Sequence, residues 1–185
     1  MSTNQQLKIV FTGPMGAGKT TAIRAISDAP PVSTEVGNSD RQASVKESTT
    51  VALDYGELTL EDGTCLRIYG TPGQARFSFM WEIIGRGALG VILLIDGSSA
   101  NALTDLEAFI AAFQSHTPNQ PFVIGVGRVR SSGELESYYR ALETVGLVAP
   151  VFAVDVREKG DVLLLIETLL CILETRVAEI ENVGS

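Results

Sequence analysis

Near its start the chain reads Gly13-Pro14-Met15-Gly16-Ala17-Gly18-Lys19-Thr20-Thr21, after an apolar run from Leu7 to Phe11 and before a segment with Ile23 and Ile26 on one side. The apolar run reads as a strand and the segment after the glycines as an amphipathic helix. The spacing between them is G-x-x-x-x-G-K-T. Gly13, Gly16 and Gly18 let the backbone turn with its N–H groups facing inward, and the helix start adds the positive end of its dipole at the same point. Unpaired N–H groups arranged this way seat a phosphate. Lys19 brings a positive charge to the outer phosphates of a nucleotide, and the Thr20 hydroxyl offers a ligand to a bridging Mg²⁺. Residues 13–21 are therefore expected to bind nucleotide. The fold is constrained too, because a strand feeding such a loop and helix belongs in a parallel sheet covered by helices.

The rest of the chain agrees with this reading. Its 185 residues make one domain, 1–185, large enough for a substantial core. A hydrophobic share of 45% against 19% charged residues describes a globular chain. A net charge of -8 argues against a nucleic-acid binder, which needs a basic face, whereas the loop's local field handles nucleotide phosphates. Cys65, in a strand, and Cys171, in a leucine-rich helix, read as buried thiols and not as a disulfide. His116 ends a helix without partners and reads as a surface or capping residue; no metal-ligand spacing occurs. Residues 1–6 are polar, residue 2 is Ser2, the last residues carry no prenylation cysteine, and the longest apolar run, 88–95, is too short to span a bilayer. No membrane anchor is encoded, and a reducing, cytoplasmic setting is expected.

Periodicity and turn residues give a strand at 6–12, a helix at 18–28 ended by Pro30-Pro31, and a polar loop at 32–49. A hairpin follows, with one strand around Val51–Leu60 and another at 64–69, turning at Glu61-Asp62-Gly63. Residues 75–86 read as a helix with Phe77, Met80, Trp81 and Ile84 inward. Strands at 89–96, 121–126 and 150–154 then alternate with helices at 102–115, 132–145 and about 160–181. The helix at 102–115 should bury Leu103, Leu106, Phe109, Ile110 and Phe113, and the last helix Val162, Leu165, Ile166, Leu169, Leu173, Val177 and Ile180. The sum is an α/β fold, doubly wound, with one early hairpin and no internal repeat.

Three stretches together, the phosphate loop, Thr50-Val51-Ala52-Leu53-Asp54-Tyr55-Gly56 and Tyr69-Gly70-Thr71-Pro72-Gly73-Gln74-Ala75-Arg76-Phe77, resemble the Ras-like small GTPases over nearly the whole chain. They look most like the bacterial members related to gliding-motility polarity switches and to actinobacterial multi-gene signalling systems. The resemblance implies a P-loop NTPase with a six-stranded, mostly parallel sheet and one antiparallel edge hairpin, binding GTP/GDP with Mg²⁺. Residues 32–50 match the first switch loop, with Thr50, or alternatively Thr49, at the Mg²⁺ position. Residues 70–86 match the second, with Gly73 sensing the γ-phosphate and Gln74 orienting the attacking water. Arg128 matches the residue lying over the base, and Asp155 the loop beside the guanine carbonyl. The resemblance further implies slow GTP hydrolysis assisted by a small roadblock-type regulator, and an effector bound through the switch loops. Arg41 and Arg76 are the candidates for an arginine supplied within the chain.

This sequence departs from the pattern in three places. Gly70 stands where most Ras-like proteins have an Asp, which leaves the ion dependent on Thr20 and the phosphates; Asp96 is a candidate acid there or a structural cap. Gly127-Arg128-Val129-Arg130 replaces N-K-x-D, and arginine cannot accept the guanine N–H donors, so discrimination of GTP over ATP is expected to be weak. Met15, beside the γ-phosphate position, replaces the glycine of the most hydrolytic relatives and should crowd either the attacking water or an inserted arginine. These departures keep open a degenerate nucleotide-holding interaction module. A P-loop ATPase or kinase is a further alternative, with no arginine-rich lid to support it.

Overall fold

The computed structural model describes residues 7–29, 32–36, 51–117 and 119–183. At its centre is β1 (Leu7–Thr12), paired in parallel with β4 (Cys65–Gly70) on one side and β5 (Gly90–Asp96) on the other. Adding β2 (Val32–Val36), β3 (Val51–Thr59), β6 (Phe122–Gly127) and β7 (Val151–Ala153) gives the sheet order β2-β3-β4-β1-β5-β6-β7. Only β3 runs against the others, pairing antiparallel with both β2 and β4. The central strands β1, β5 and β6 are apolar almost throughout because helices cover both of their faces.

Successive residues of β1 point to opposite faces, and the two cores divide accordingly. Ile9 and Phe11 join Ile92, Leu94 and Val123 beneath α1 (Lys19–Ile26) and α5 (Lys159–Val183), whose Ile23, Ile26, Leu165 and Leu169 complete that side. Val10 joins Leu93, Ile95 and Ile124 beneath α2 (Ser78–Gly85), α3 (Ala102–His116) and α4 (Leu135–Thr144). There Trp81 stacks on Phe109 with ring centroids 4.3 Å apart, and its indole N–H donates to the Pro72 carbonyl at 2.8 Å. That bond ties α2 to the loop that precedes it. Parallel strands all end at one edge of the sheet, and the loops leaving those ends build the site.

All six expected strands are present, and Val32–Val36 adds a seventh in a stretch read from the sequence as polar loop. It is held by a backbone ladder at the sheet's edge, so it needs no apolar stripe to announce it. The helices expected at 75–86 and 132–145 each open with a 3₁₀ turn, Ala75–Phe77 and Ser132–Glu134. Leu103 and Val177 are exposed, and Leu173 is only half-buried. A helix of 25 residues is about 37 Å long, so the end of α5 carrying Val177 runs past the sheet it packs on. Cys171 is exposed, not buried, because it lies off the Val162–Leu165–Ile166–Leu169 stripe; Cys65 is half-buried, and both thiols are free. The side chains of His116 and Ile180 lie outside the described residues.

Candidate functional site

The loop after β1 has the expected turn. Gly13, Gly16 and Gly18 all have positive φ, and a Cβ at Gly13 would stand 2.0 Å from the Leu94 carbonyl oxygen of β5. The phosphate loop is thus seated directly on the neighbouring strand. Lys19 opens α1, is 8% exposed, and donates from Nζ to the carbonyls of Gly13 and Pro14, each at 2.8 Å. Burial lowers its pKa to about 8, partly offset by the nearby Asp54 carboxylate. An ammonium has three hydrogens, so one remains for a ligand.

The next residue, Thr20, donates from Oγ1 to Asp54 Oδ2 at 2.5 Å. Asp54 lies on β3 directly opposite Gly70 of β4, and a Cβ on Gly70 would sit 2.9 Å from Asp54 Cβ. The glycine standing where the resemblance expects an acid makes room for an acid from the next strand. Gly70 therefore leaves no gap beside Thr20, and Asp54 is the site residue that sequence reasoning missed. One signal was available: in β3, Asp54 interrupts an apolar strand on the face shared with Gly56, which packs on α1. A hard hydroxyl and a carboxylate together suit Mg²⁺. Among the described residues no cluster of three His, Cys, Asp or Glu side chains competes for a metal.

After β4 the chain is fastened to the loop. Thr71 N–H donates to the Phe11 carbonyl at 2.9 Å, and the buried Thr71 and Thr12 hydroxyls pair at 2.8 Å. Gly73 then passes so close that a Cβ there would lie 2.4 Å from Met15 N. Gln74 donates from Nε2 to the Met15 sulfur at 3.6 Å, and Met15 is 74% exposed. Gly73, Gln74 and Met15 are thus brought together above the phosphate loop. Arg76 is exposed, with its guanidinium over the Phe77 ring at 4.9 Å from the centroid. Arg41, Thr49 and Thr50 lie outside the described residues.

From Gly16, Ala17, Gly18 and Thr21 a cavity of about 630 Å³ runs to a wall formed by the loops after β5, β6 and β7. Arg128 and Asp155 both line it, together with Asp96 and Arg157. Arg128 adopts a left-handed φ of 56° and pairs with Asp96. Asp96 also accepts from the Ser98 N–H and hydroxyl, and these Ser98 bonds, with Arg128 adding its charge, hold its carboxyl below the usual range. It acts as a structural cap, the second of the two roles the sequence left open. Asp155 is gripped by Arg157, which brings its pKa down to about 2. Arg130 is outside the lining, its backbone N–H directed to Glu134 at 3.3 Å.

Replacing Asp54 by Asn should raise the Mg²⁺ concentration that supports nucleotide retention by about tenfold or more, the usual effect of losing a carboxylate beside a metal. Nucleotide release rates measured across a Mg²⁺ titration test this; an unchanged midpoint would remove Asp54 from the metal site.

A family model described as "conserved hypothetical ATP binding protein" matches residues 31–147. An uncharacterized protein of Methanocaldococcus jannaschii is 31% identical over 102 residues, 55% of this chain and 58% of that protein. The Ras-related protein Rab-27A of Sus scrofa is 25% identical over 92% of this chain and 80% of its own length. The chain spans 39% to 59% of the length of the first three curated relatives it matches. Among solved structures, the Arl6 BBS3 small GTPase from Trypanosoma brucei with bound GppNp superposes with a TM-score of 0.67, covering 92% of this chain and 99% of that one at 19% identity. That likeness gives the fold, an α/β sheet of small-GTPase type. The family match takes in Asp54, Gly73, Gln74, Asp96 and Arg128, and leaves out Lys19 and Asp155.

Proposed function

Since this chain belongs to the family described as conserved hypothetical ATP binding proteins and folds as small GTPases do, we propose that it is a GTP-binding switch that hydrolyses GTP slowly and with a partner's help. The observation that carries this reading is the buried Lys19 ammonium, held by two loop carbonyls with one hydrogen to spare, in the loop whose Gly16, Ala17 and Gly18 line a cavity of nucleotide size. The family's description names ATP; the Ras-related relatives and the second-switch sequence Gly70-Thr71-Pro72-Gly73-Gln74 favour GTP.

In this reading Gly13–Thr21 hold the phosphates, Lys19 bonds their outer oxygens, and Thr20 and Asp54 hold Mg²⁺, together with Thr50 of the first switch loop. Bound there, the ion would screen the charge that builds on the phosphate oxygens during transfer. Arg128 lies along the base. Gly73 reports the γ-phosphate through its N–H, since its backbone already lies against Met15.

Gln74 is the side chain of the second switch able both to accept from a water and to donate to a phosphate oxygen. Its amide rests on the Met15 sulfur, so it must leave that contact before it can position water. Phosphoryl transfer depends chiefly on such positioning, and the unassisted rate is accordingly expected at or below ~10⁻⁴ s⁻¹. A regulator of the roadblock type would draw Gln74 into place by ordering residues 70–86, or the arginine would come from within the chain, with Arg41 and Arg76 the candidates. An effector would read residues 32–50 and 70–86. The setting proposed is bacterial signalling or polarity, in the cytoplasm. Among the described residues no helix is long and apolar enough to cross a membrane.

Single-turnover phosphate release with and without the regulator tests the mechanism. Gln74→Leu should remove the stimulated rate, a loss of about a hundredfold, as expected for one transition-state contact. Fast turnover that survives Gln74→Leu contradicts it. The Met15–Gln74 contact favours one second reading, a module that holds nucleotide without hydrolysing it, and absence of turnover with any partner would select that reading.

A further inference from the structure

The base-side wall of the cavity carries two carboxylates whose situations differ. Asp96 is committed: Oδ1 accepts the Ser98 N–H at 3.0 Å and the Ser98 hydroxyl at 2.7 Å, and Oδ2 takes Arg128. Asp155 follows β7, its backbone N–H fixed to Asp161 Oδ2 at 2.8 Å. Its carboxylate receives a two-pronged contact, Arg157 Nε on Oδ1 at 2.9 Å and Nη2 on Oδ2 at 2.5 Å. The Arg157 backbone N–H adds a third bond to Oδ1 at 3.0 Å. The Arg157 side chain is 78% exposed, so water screens the pair and the guanidinium is cheaply displaced.

A guanidinium presents an N–C–N unit with parallel N–H donors, the shape that a carboxylate accepts at both oxygens. The N1–C2–N2 edge of guanine is the same unit. We propose that Asp155 reads the base: guanine N1–H and N2–H replace the Arg157 Nε–H and Nη2–H on the Asp155 carboxylate, and Arg157 swings into solvent. The inference rests on the guanine-nucleotide reading of this site and deepens it. It supplies the acceptor pair that Arg130 cannot, from the loop after the neighbouring strand β7, which lines the cavity. Adenine turns an acceptor, N1, toward that carboxylate and is rejected. Hypoxanthine keeps one of the two donors, and xanthine places a carbonyl where guanine has its amino group. Discrimination against ATP is thereby restored in a chain whose N-K-x-D equivalent has lost it.

Competition binding to the full chain, with fluorescent GDP displaced by GDP, IDP, XDP and ADP, tests the assignment without relying on any one variant. Wild type should bind GDP about tenfold or more tightly than IDP or ADP, the worth of one charged hydrogen bond. Asp155→Asn should lose about tenfold or more for GDP and reverse the order of GDP and XDP, because the Asn amide donates where the carboxylate accepted. Arg157→Ala should tighten GDP by a few-fold, since the internal competitor is gone. An unchanged GDP-to-XDP ratio in Asp155→Asn, equal binding of GDP and IDP by wild type, or weaker GDP binding by Arg157→Ala would each overturn the assignment while GDP binding itself stands. Folded wild type that binds no guanine nucleotide overturns this assignment and the switch reading together.

Discussion

Lys19→Ala is expected to leave a folded protein whose affinity for GDP and GTP has dropped by at least about a hundredfold. The Lys19 amine is buried, and desolvation has pulled its pKa down to about 8, so the folded chain holds a charge that it solvates poorly. Phosphate supplies the missing counter-charge. The one charged hydrogen bond that Lys19 has to spare is worth about 1.5–3 kcal/mol, and losing the attraction of the charge itself in a poorly solvated site carries the total past the ~2.7 kcal/mol that a hundredfold represents. Stability should change much less. The variant leaves the Gly13 and Pro14 carbonyls without the amine, but it also removes a desolvated charge, and these effects oppose each other. Calorimetric titration beside a thermal melt separates the two outcomes, and wild-type affinity in the variant would overturn the phosphate-loop assignment.

Gly13→Ala should do the reverse and damage the fold itself. At φ +136° a side chain is strained, at about 1–3 kcal/mol, and the new Cβ would stand 2.0 Å from the Leu94 carbonyl oxygen. Leu94 is backbone of a central buried strand, so the loop must lift or β5 must shift; such overpacking adds about 1–3 kcal/mol. Together these amount to roughly 2–6 kcal/mol, or about 10 °C in Tm for a domain of this size. Gly160→Ala is the control, since a Cβ there meets nothing within 4 Å and its φ is ordinary. A melt in which both variants match wild type would mean that the loop is not seated on β5.

The phosphate loop was legible because its meaning is local. Gly13 to Thr21 place strand end, turn, cation and helix start within nine consecutive positions, and the structure assembles them in that order. The central strands were legible for a related reason, since burial on both faces writes an unbroken apolar run. Asp54 was not, because its role depends on the β3–β4 register that sets it opposite Gly70, and no local pattern states a register. The Asp155–Arg157 pair is local in sequence, but its place in the cavity begun by Gly16–Gly18 appears only when the β7–α5 turn is folded against it. Edge strand β2 escaped notice because backbone pairing, and not a side-chain pattern, holds it. Cys171, Leu103 and Val177 were placed inside by apolar spacing alone, which cannot say where a helix runs off its sheet. The expectations for Arg41 and Thr50 fall outside the described residues and stay with the proposed mechanism.

Gly70 and the Arg128–Arg130 loop share one feature. At each, an acid that the resemblance leads one to expect is missing, and another acid stands nearby: Asp54 across the β3–β4 pair, Asp155 after the neighbouring strand β7. A glycine opposite Asp54 provides space, and an exposed arginine beside Asp155 provides a donor fork in the absence of a base. Read together with the proposed roles, the site keeps its chemistry while changing which strand or loop delivers it.

The central claim is that this chain is a guanine-nucleotide switch. The most direct test is the nucleotide released when freshly purified protein is denatured, identified by chromatography, with Lys19→Ala run alongside. Wild type should release a stoichiometric guanine nucleotide and the variant none. Adenine nucleotide in its place, or an empty wild-type protein that also fails to take up added GDP, would contradict it.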